Sequence, residues 1–203
     1  MKALILFLLI PLLAFSGCAA EKRDKETEEV KWTENAFLLV GDGQIDGSEG
    51  LAYLDAALKD LRQFYGPDIW NYKVSADGTK VGDSVKERVL EDIIRIKVVC
   101  LKADEQNVWL SREELKEADE RAAEYVKTLD GSLSEKGVNE NVLRRVYSDN
   151  ALAKKVYDKV TAGIDGENEK LVAFENMYAG WRSEVNVRVN RPVWDGLAVP
   201  GMN

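Results

Sequence analysis

The helical pattern of apolar residues between Gly82 and Asp104 constrains the fold more than any other segment. One apolar stripe recurs at spacings of three and four, and a second set of apolar residues widens it to further sides of the same helix. Because so wide an apolar surface needs cover on more than one side, we predict that this segment is the central core helix of a mainly α domain. The stripe is Val85, Val89, Ile93, Ile96 and Cys100, and the widening residues are Leu90, Ile94, Val99 and Leu101.

Further helical patterns lie on both sides of this segment. The helix before it ends at Gly66-Pro67, and a capping box formed by Ser111 and Glu114 opens the helix after it. The pattern therefore predicts about six helices. The expected helical segments are approximately 48–65, 82–104, 111–129, 139–147, 149–162 and 171–181.

Two short segments near opposite ends of the chain have strand character. Ala36–Val40 is a continuous apolar run followed by a turn signal over residues 41–47, and residues 184–190 alternate between apolar and polar side chains. Because neither strand is stable alone, we expect the two to pair as a small two-stranded unit that joins the N- and C-terminal segments.

The N-terminus has the features of an export signal. Ala3–Phe15 is uncharged but shorter than the roughly 20 apolar residues that a membrane-spanning helix needs. The following Ser16-Gly17-Cys18 resembles the lipobox of bacterial lipoproteins, which implies cleavage before Cys18 and lipid attachment to its sulfur. An ordinary secretory signal with an incidental cysteine is the alternative. The resemblance predicts an extracytoplasmic protein that is anchored to the cell membrane by its lipid.

The organisation expected from these features is simple. Residues 1–17 form the signal peptide, residues 18–35 form a charged tether, and residues 36–203 form a single domain. Loss of Lys2 with the signal changes the formal net charge from −8 to −9. An acidic chain does not suit a phosphate-backbone binder, so we expect no nucleic-acid partner.

Composition also restricts the possible chemistry. The chain contains no histidine, which excludes Ser-His-Asp and Cys-His mechanisms. Cys100 lies in an apolar run and is expected to be a core residue, because no histidine can act as its base. The segment 42–47 does not fit a calcium loop, since Tyr53 occupies the position of the bidentate glutamate. We expect no catalytic residue, no metal site and no cofactor.

Several segments, in order along essentially the whole mature chain, resemble the N-terminal chaperone domain of SurA/PrsA-type foldases in their lipoprotein form. The resemblance implies a helical chaperone domain. In family members with a parvulin isomerase domain, that domain lies between the two helical parts, but here only residues 163–170 occupy this place. The resemblance therefore implies a protein without prolyl isomerase activity. The segments are FLLVGDGQI (37–45) with LKDLRQFYGPDIWNYKV (58–74), SVKERVLEDIIRIKVVCLKA (84–103), LSREELKEADERAAEYVKTL (110–129), NENVLRRVYSDNALAKKVYDKVTAGID (139–165) and FENMYAGWRSEVNVRVNRPVWDGL (174–197).

Such a domain would bind unfolded or exported polypeptides by apolar contact in a groove between helices. The candidate peptide-binding residues are aromatics at helix ends and connectors, where exposure is expected. A structural or scaffolding envelope lipoprotein with one specific protein partner is the alternative function. A residual carboxylate-based enzyme is a third, which would need a pair of carboxylates with perturbed pKa values in a cleft. The candidate aromatics are Phe64, Tyr65, Trp70, Tyr72 and Trp109.

Overall fold

β1 (Ala36–Val40) is the central strand of a three-stranded antiparallel sheet, with β2 (Gly43–Asp46) on one side and β3 (Val187–Val189) on the other. The computed structural model describes residues 30–66, 68–73 and 78–202. β3 (Val187–Val189) pairs with β1 in a register that aligns Leu38 with Val189. This pairing of the N- and C-terminal segments confirms the sequence prediction. All five residues of β1 are buried, and helices pack against this strand, which explains why β1 has no polar side chain.

The sheet contains a third strand, β2, that the sequence analysis did not predict. The sequence predicts a turn over residues 41–47, but the turn is confined to Gly41 and Asp42, and β2 (Gly43–Asp46) pairs with β1. Gly41 adopts a φ of 61°, a conformation that glycine tolerates without strain, so the chain reverses there within two residues. The sheet therefore has three strands instead of the predicted two: β1 and β2 form a hairpin, and β3 pairs with the other edge of β1.

The rest of the domain is mainly helical, as predicted. The N-cap residues of α1 (Gly47–Tyr65) and α2 (Val81–Leu101) are extended, and Gly66 ends α1 with its N–H donating to the Arg62 carbonyl at 3.0 Å. The Ser111 side chain and Glu114 form the expected capping box of α3 (Arg112–Val126). The helices are α1 (Gly47–Tyr65), a 3-10 helix (Ile69–Asn71), α2 (Val81–Leu101), α3 (Arg112–Val126), α4 (Gly131–Glu135), α5 (Glu140–Val160), α6 (Glu167–Glu184) and α7 (Arg191–Gly196).

The predicted helices 139–147 and 149–162 are one continuous helix, α5, which is a second correction. The polar residues at the expected break do not interrupt the backbone hydrogen bonds. Asn150 donates through its side chain to the Val146 carbonyl at 2.7 Å, and the Asp149 carboxylate binds Lys97 of α2. The side chains that suggested a helix terminus therefore hold the middle of α5 in place. The sequence analysis did not predict the short helix α4. Asp130 caps this helix by accepting a hydrogen bond from the Ser132 N–H.

α2 forms the centre of the core, as its wide apolar surface predicts. It packs against α1, α5, α6 and β1, and its apolar side chains belong to the same buried cluster as those of the sheet. Trp194 of α7 is buried against Phe37 of β1, with ring centroids 4.9 Å apart. The fully buried residues of α2 are Val89, Leu90, Ile93, Ile94, Ile96, Val98 and Val99.

α1 and α2 form an antiparallel pair, which defines two ends of the domain. At one end, the Val81 N–H at the start of α2 donates to the Tyr72 carbonyl at 2.8 Å, close to where α1 ends. At the other end, Leu101 at the end of α2 lies against Gly41 of the β-hairpin. Residues 30–35 also lie beside the hairpin, since the Thr33 N–H donates to the Gln44 side chain at 2.8 Å. Cys18 and most of the expected tether lie outside the described residues.

Candidate functional site

Four of the five candidate aromatics are exposed. Trp70 is the exception, because its side chain is only 1 % exposed. The 3-10 helix places Trp70 against Gly82, where an added Cβ would lie 3.1 Å from the ring. Trp70 is therefore a core residue and not a peptide-binding residue, which corrects that part of the prediction. The exposed fractions are 76 % for Phe64, 67 % for Tyr65, 64 % for Tyr72 and 60 % for Trp109.

Three of the exposed aromatics share one end of the α1–α2 pair. Phe64 and Tyr65 are in the last turn of α1, and Tyr72 lies on the connector that leads to α2. We call Phe64, Tyr65 and Tyr72 the aromatic end. Large exposed aromatic side chains that cluster on a protein surface are a common feature of interaction sites.

Trp109 lies at the opposite end. It follows the connector after α2, and its indole N–H donates to the Asp104 carboxylate at 2.7 Å. α2 has 21 residues, which corresponds to a length of about 30 Å at 1.5 Å per residue. The sequence analysis expected Trp109 to share one groove with the other candidate aromatics. The structure instead places it far from the aromatic end.

A buried ionic cluster joins α1, α2 and α5, and sequence reasoning missed it. The Lys97 ammonium lies 2.5 Å from Oε1 of Glu49 and 2.6 Å from Oδ2 of Asp149. Nε of Arg145 lies 3.7 Å from Oε2 of Glu49. Glu49 is fully buried, so these contacts replace the water that it lost on folding. The ion pairs of this cluster link the three helices to one another.

The pKa values in this cluster reflect its burial. Burial raises the pKa of Glu49, although Lys97 partly offsets this effect. Burial lowers the pKa of Lys97, but the Glu49 and Asp149 carboxylates outweigh burial and raise it overall. The neighbouring Cys100 donates to the Asp149 carbonyl at 3.3 Å, and burial raises the pKa of its thiol to about 12. A thiol with such a pKa is protonated at neutral pH and is a poor nucleophile, in agreement with the core role expected for Cys100.

A cleft of about 720 Å³ lies between the start of α1, α4 and the C-terminal segment. Two of its polar groups have partners within the domain. Asp46 accepts the Ser48 N–H at 2.9 Å as the N-cap of α1, and Lys136 donates to the Ala198 carbonyl at 3.0 Å. None of the candidate aromatics lines this cleft, so it does not correspond to the predicted peptide groove.

Within residues 30–66, 68–73 and 78–202, no group of three or more histidine, cysteine, aspartate or glutamate side chains is placed to hold a metal ion. No helix among these residues is both long enough and apolar enough to cross a membrane.

Comparison with protein-family models, with curated proteins and with solved structures finds no match for this chain. The similarity to SurA/PrsA-type domains thus stays a prediction from the sequence segments.

Proposed function

We propose that this protein is a lipid-anchored extracytoplasmic domain that binds unfolded or exported polypeptides through its aromatic end, without prolyl isomerase activity. The observation that carries the proposal is the shared position of Phe64, Tyr65 and Tyr72, each more than half exposed, at one end of the α1–α2 pair. Three aromatic rings at this level of exposure offer roughly 300–450 Å² of contact surface. Apolar contact of this kind is non-directional, so it suits clients of many sequences.

The backbone beneath the aromatic end supports such a role. Gly66 ends α1 immediately after Tyr65, and Tyr72 accepts a hydrogen bond from Val81 through its carbonyl. The rings thus project from a helix terminus and an anchored connector, while Trp70 between them is buried in the core. Backbone hydrogen bonds that hold these positions in place reduce the entropy that is lost when a client binds.

The position of the aromatic end relative to the expected lipid also fits the proposal. The described chain begins beside the β-hairpin, at the start of α1. The aromatic end lies at the other end of this 19-residue helix, about 28 Å away. The segment that leads to Cys18 therefore joins the described domain at the end opposite to the aromatic end.

The test is suppression of aggregation by a soluble chain that begins at Ala19. An unfolded, reduced model protein serves as the client. We expect the chain to suppress aggregation at near-stoichiometric ratios, and the triple variant Phe64→Ala/Tyr65→Ala/Tyr72→Ala to lose most of this effect while keeping its helical circular dichroism. Val172→Ala, at an apolar position on α6 that is 56 % exposed, is the control and should behave as wild type. Full suppression by the triple variant would remove the aromatic end from the site.

A further inference from the structure

Trp109 has the features of a second, separate binding site. Its ring is 60 % exposed, yet the hydrogen bond from its indole N–H to Asp104 fixes the orientation of the side chain. The connector beneath it is also fixed, because the Val108 N–H donates to the Ala103 carbonyl at 3.0 Å. Leu101, which is 49 % exposed, adds apolar surface at the end of α2. A partner would therefore meet an ordered indole face with little loss of side-chain entropy.

The charges around Trp109 specify the partner. Glu105 and Glu184 both bind the ammonium of Lys102, at 3.0 Å and 2.8 Å, so that one cation serves two carboxylates. Asp104, which accepts the indole N–H of Trp109, adds a third carboxylate to this part of the connector. Glu105 and Glu184 are themselves exposed. A cationic group that approaches the indole face would therefore be attracted by the carboxylates as well as by the ring.

We infer that the Trp109 surface, formed by Leu101, Asp104, Glu105, Trp109 and Glu184, binds a lysine- or arginine-rich peptide segment. A cationic side chain of the peptide stacks on the exposed face of the indole, and the neighbouring carboxylates bind the flanking cations. This surface is about 30 Å from the aromatic end. The inference thus goes beyond the proposed function and does not depend on it.

The test uses the full chain in a non-ionic detergent and a fluorescently labelled hexalysine peptide. Fluorescence anisotropy at low ionic strength should show saturable binding that weakens as salt is added, since screening reduces the attraction of the carboxylates. Trp109→Ala should weaken binding at least about threefold, the size expected for an exposed cation–π contact. Trp109→Phe should retain part of the affinity, because it keeps an aromatic face.

Two controls make the outcome decisive. Glu184→Gln should weaken binding and reduce its salt dependence, whereas Phe64→Ala, at the aromatic end, should bind the peptide as wild type does. Equal affinity of wild type and Trp109→Ala, or no binding of hexalysine at low salt, would overturn the inference. So would a dimer in analytical ultracentrifugation that Trp109→Ala dissociates, since a second copy would then cover this surface. The triple variant of the aromatic end should still bind hexalysine as wild type does, even when it no longer suppresses aggregation.

Discussion

Lys97 of α2 and Glu49 of α1 form an ion pair of 2.5 Å at a buried position, and Asp149 of α5 binds the same ammonium. The arrangement places one lysine between two carboxylates that belong to different helices. Because a buried charge without a partner is costly, each member of the cluster depends on the others. The cluster therefore specifies how α1, α2 and α5 pack against one another.

Lys97→Met tests this dependence. The change leaves Glu49 buried without its closest cation, so we expect the free energy of unfolding to fall by about 3–5 kcal/mol. Chemical denaturation followed by circular dichroism measures it. Lys116→Met removes an exposed lysine of α3 and serves as the control, with an expected change within about 0.5 kcal/mol. The double variant Glu49→Gln/Lys97→Met should recover part of the loss, and no recovery would contradict this account.

Asp92 gives a prediction for pH. Burial raises the pKa of this carboxyl to about 6, although Arg88, whose Nε lies 3.3 Å away, partly offsets burial. The folded protein thus binds this proton more tightly than the unfolded chain. The resulting stabilisation is fully present below about pH 4 and is lost as the pH rises through about 6.

Asp92→Asn removes this titration. Relative to wild type, we expect the variant to gain about 1–2 kcal/mol in the free energy of unfolding between pH 4 and pH 7, after allowance for partial solvent screening. Urea denaturation of both proteins across this pH range measures the difference, in which the titration of all other groups cancels. Parallel stability curves for the two proteins would show that Asp92 does not titrate in this range.

Two helical glycines should respond in opposite directions to alanine. A Cβ on Gly50 of α1 would lie 2.9 Å from the Leu197 side chain and 3.0 Å from the Phe37 ring, so at least one of these side chains must shift. We expect Gly50→Ala to destabilise the protein by about 1–3 kcal/mol. Gly180 of α6 has open space at the same position, so Gly180→Ala should stabilise it by about 0.5–1 kcal/mol through helix propensity. Thermal unfolding compares the two, and equal shifts would show that Leu197 does not pack closely on α1.

Much of the fold follows from local signals in the sequence. The continuous apolar run of Ala36–Val40 and the alternation over residues 184–190 are sufficient to predict a buried strand and its pairing partner. The capping box of Ser111 and Glu114 marks the start of α3 because its hydrogen bonds are local. The same reasoning was wrong within α5, where the Asn150 amide donates to the Val146 carbonyl of the same helix and Asp149 binds Lys97 of another helix. A local bond and a tertiary contact together keep the helix continuous there.

The candidate site was only partly predictable, for a similar reason. Exposure of Phe64, Tyr65 and Tyr72 follows from their position at a helix end and a connector, but Trp70 on the same connector is buried because Gly82 leaves room for it. Glu49 and Lys97 are distant in sequence, so no spacing rule joins them. Which charges and aromatic rings meet depends on helix packing, and a single sequence does not encode that in a local pattern.

Site-specific photocrosslinking from the aromatic end is the most direct test of client binding. A photoreactive phenylalanine analogue replaces Tyr72 in one chain and Val172, on α6, in a matched control. Both chains are incubated with the same unfolded, reduced model protein and irradiated. We expect strong crosslinks from position 72 and few from position 172. Equal crosslinking from both positions, or crosslinking only to one folded envelope protein in cell extracts, would contradict the account and favour a scaffolding role.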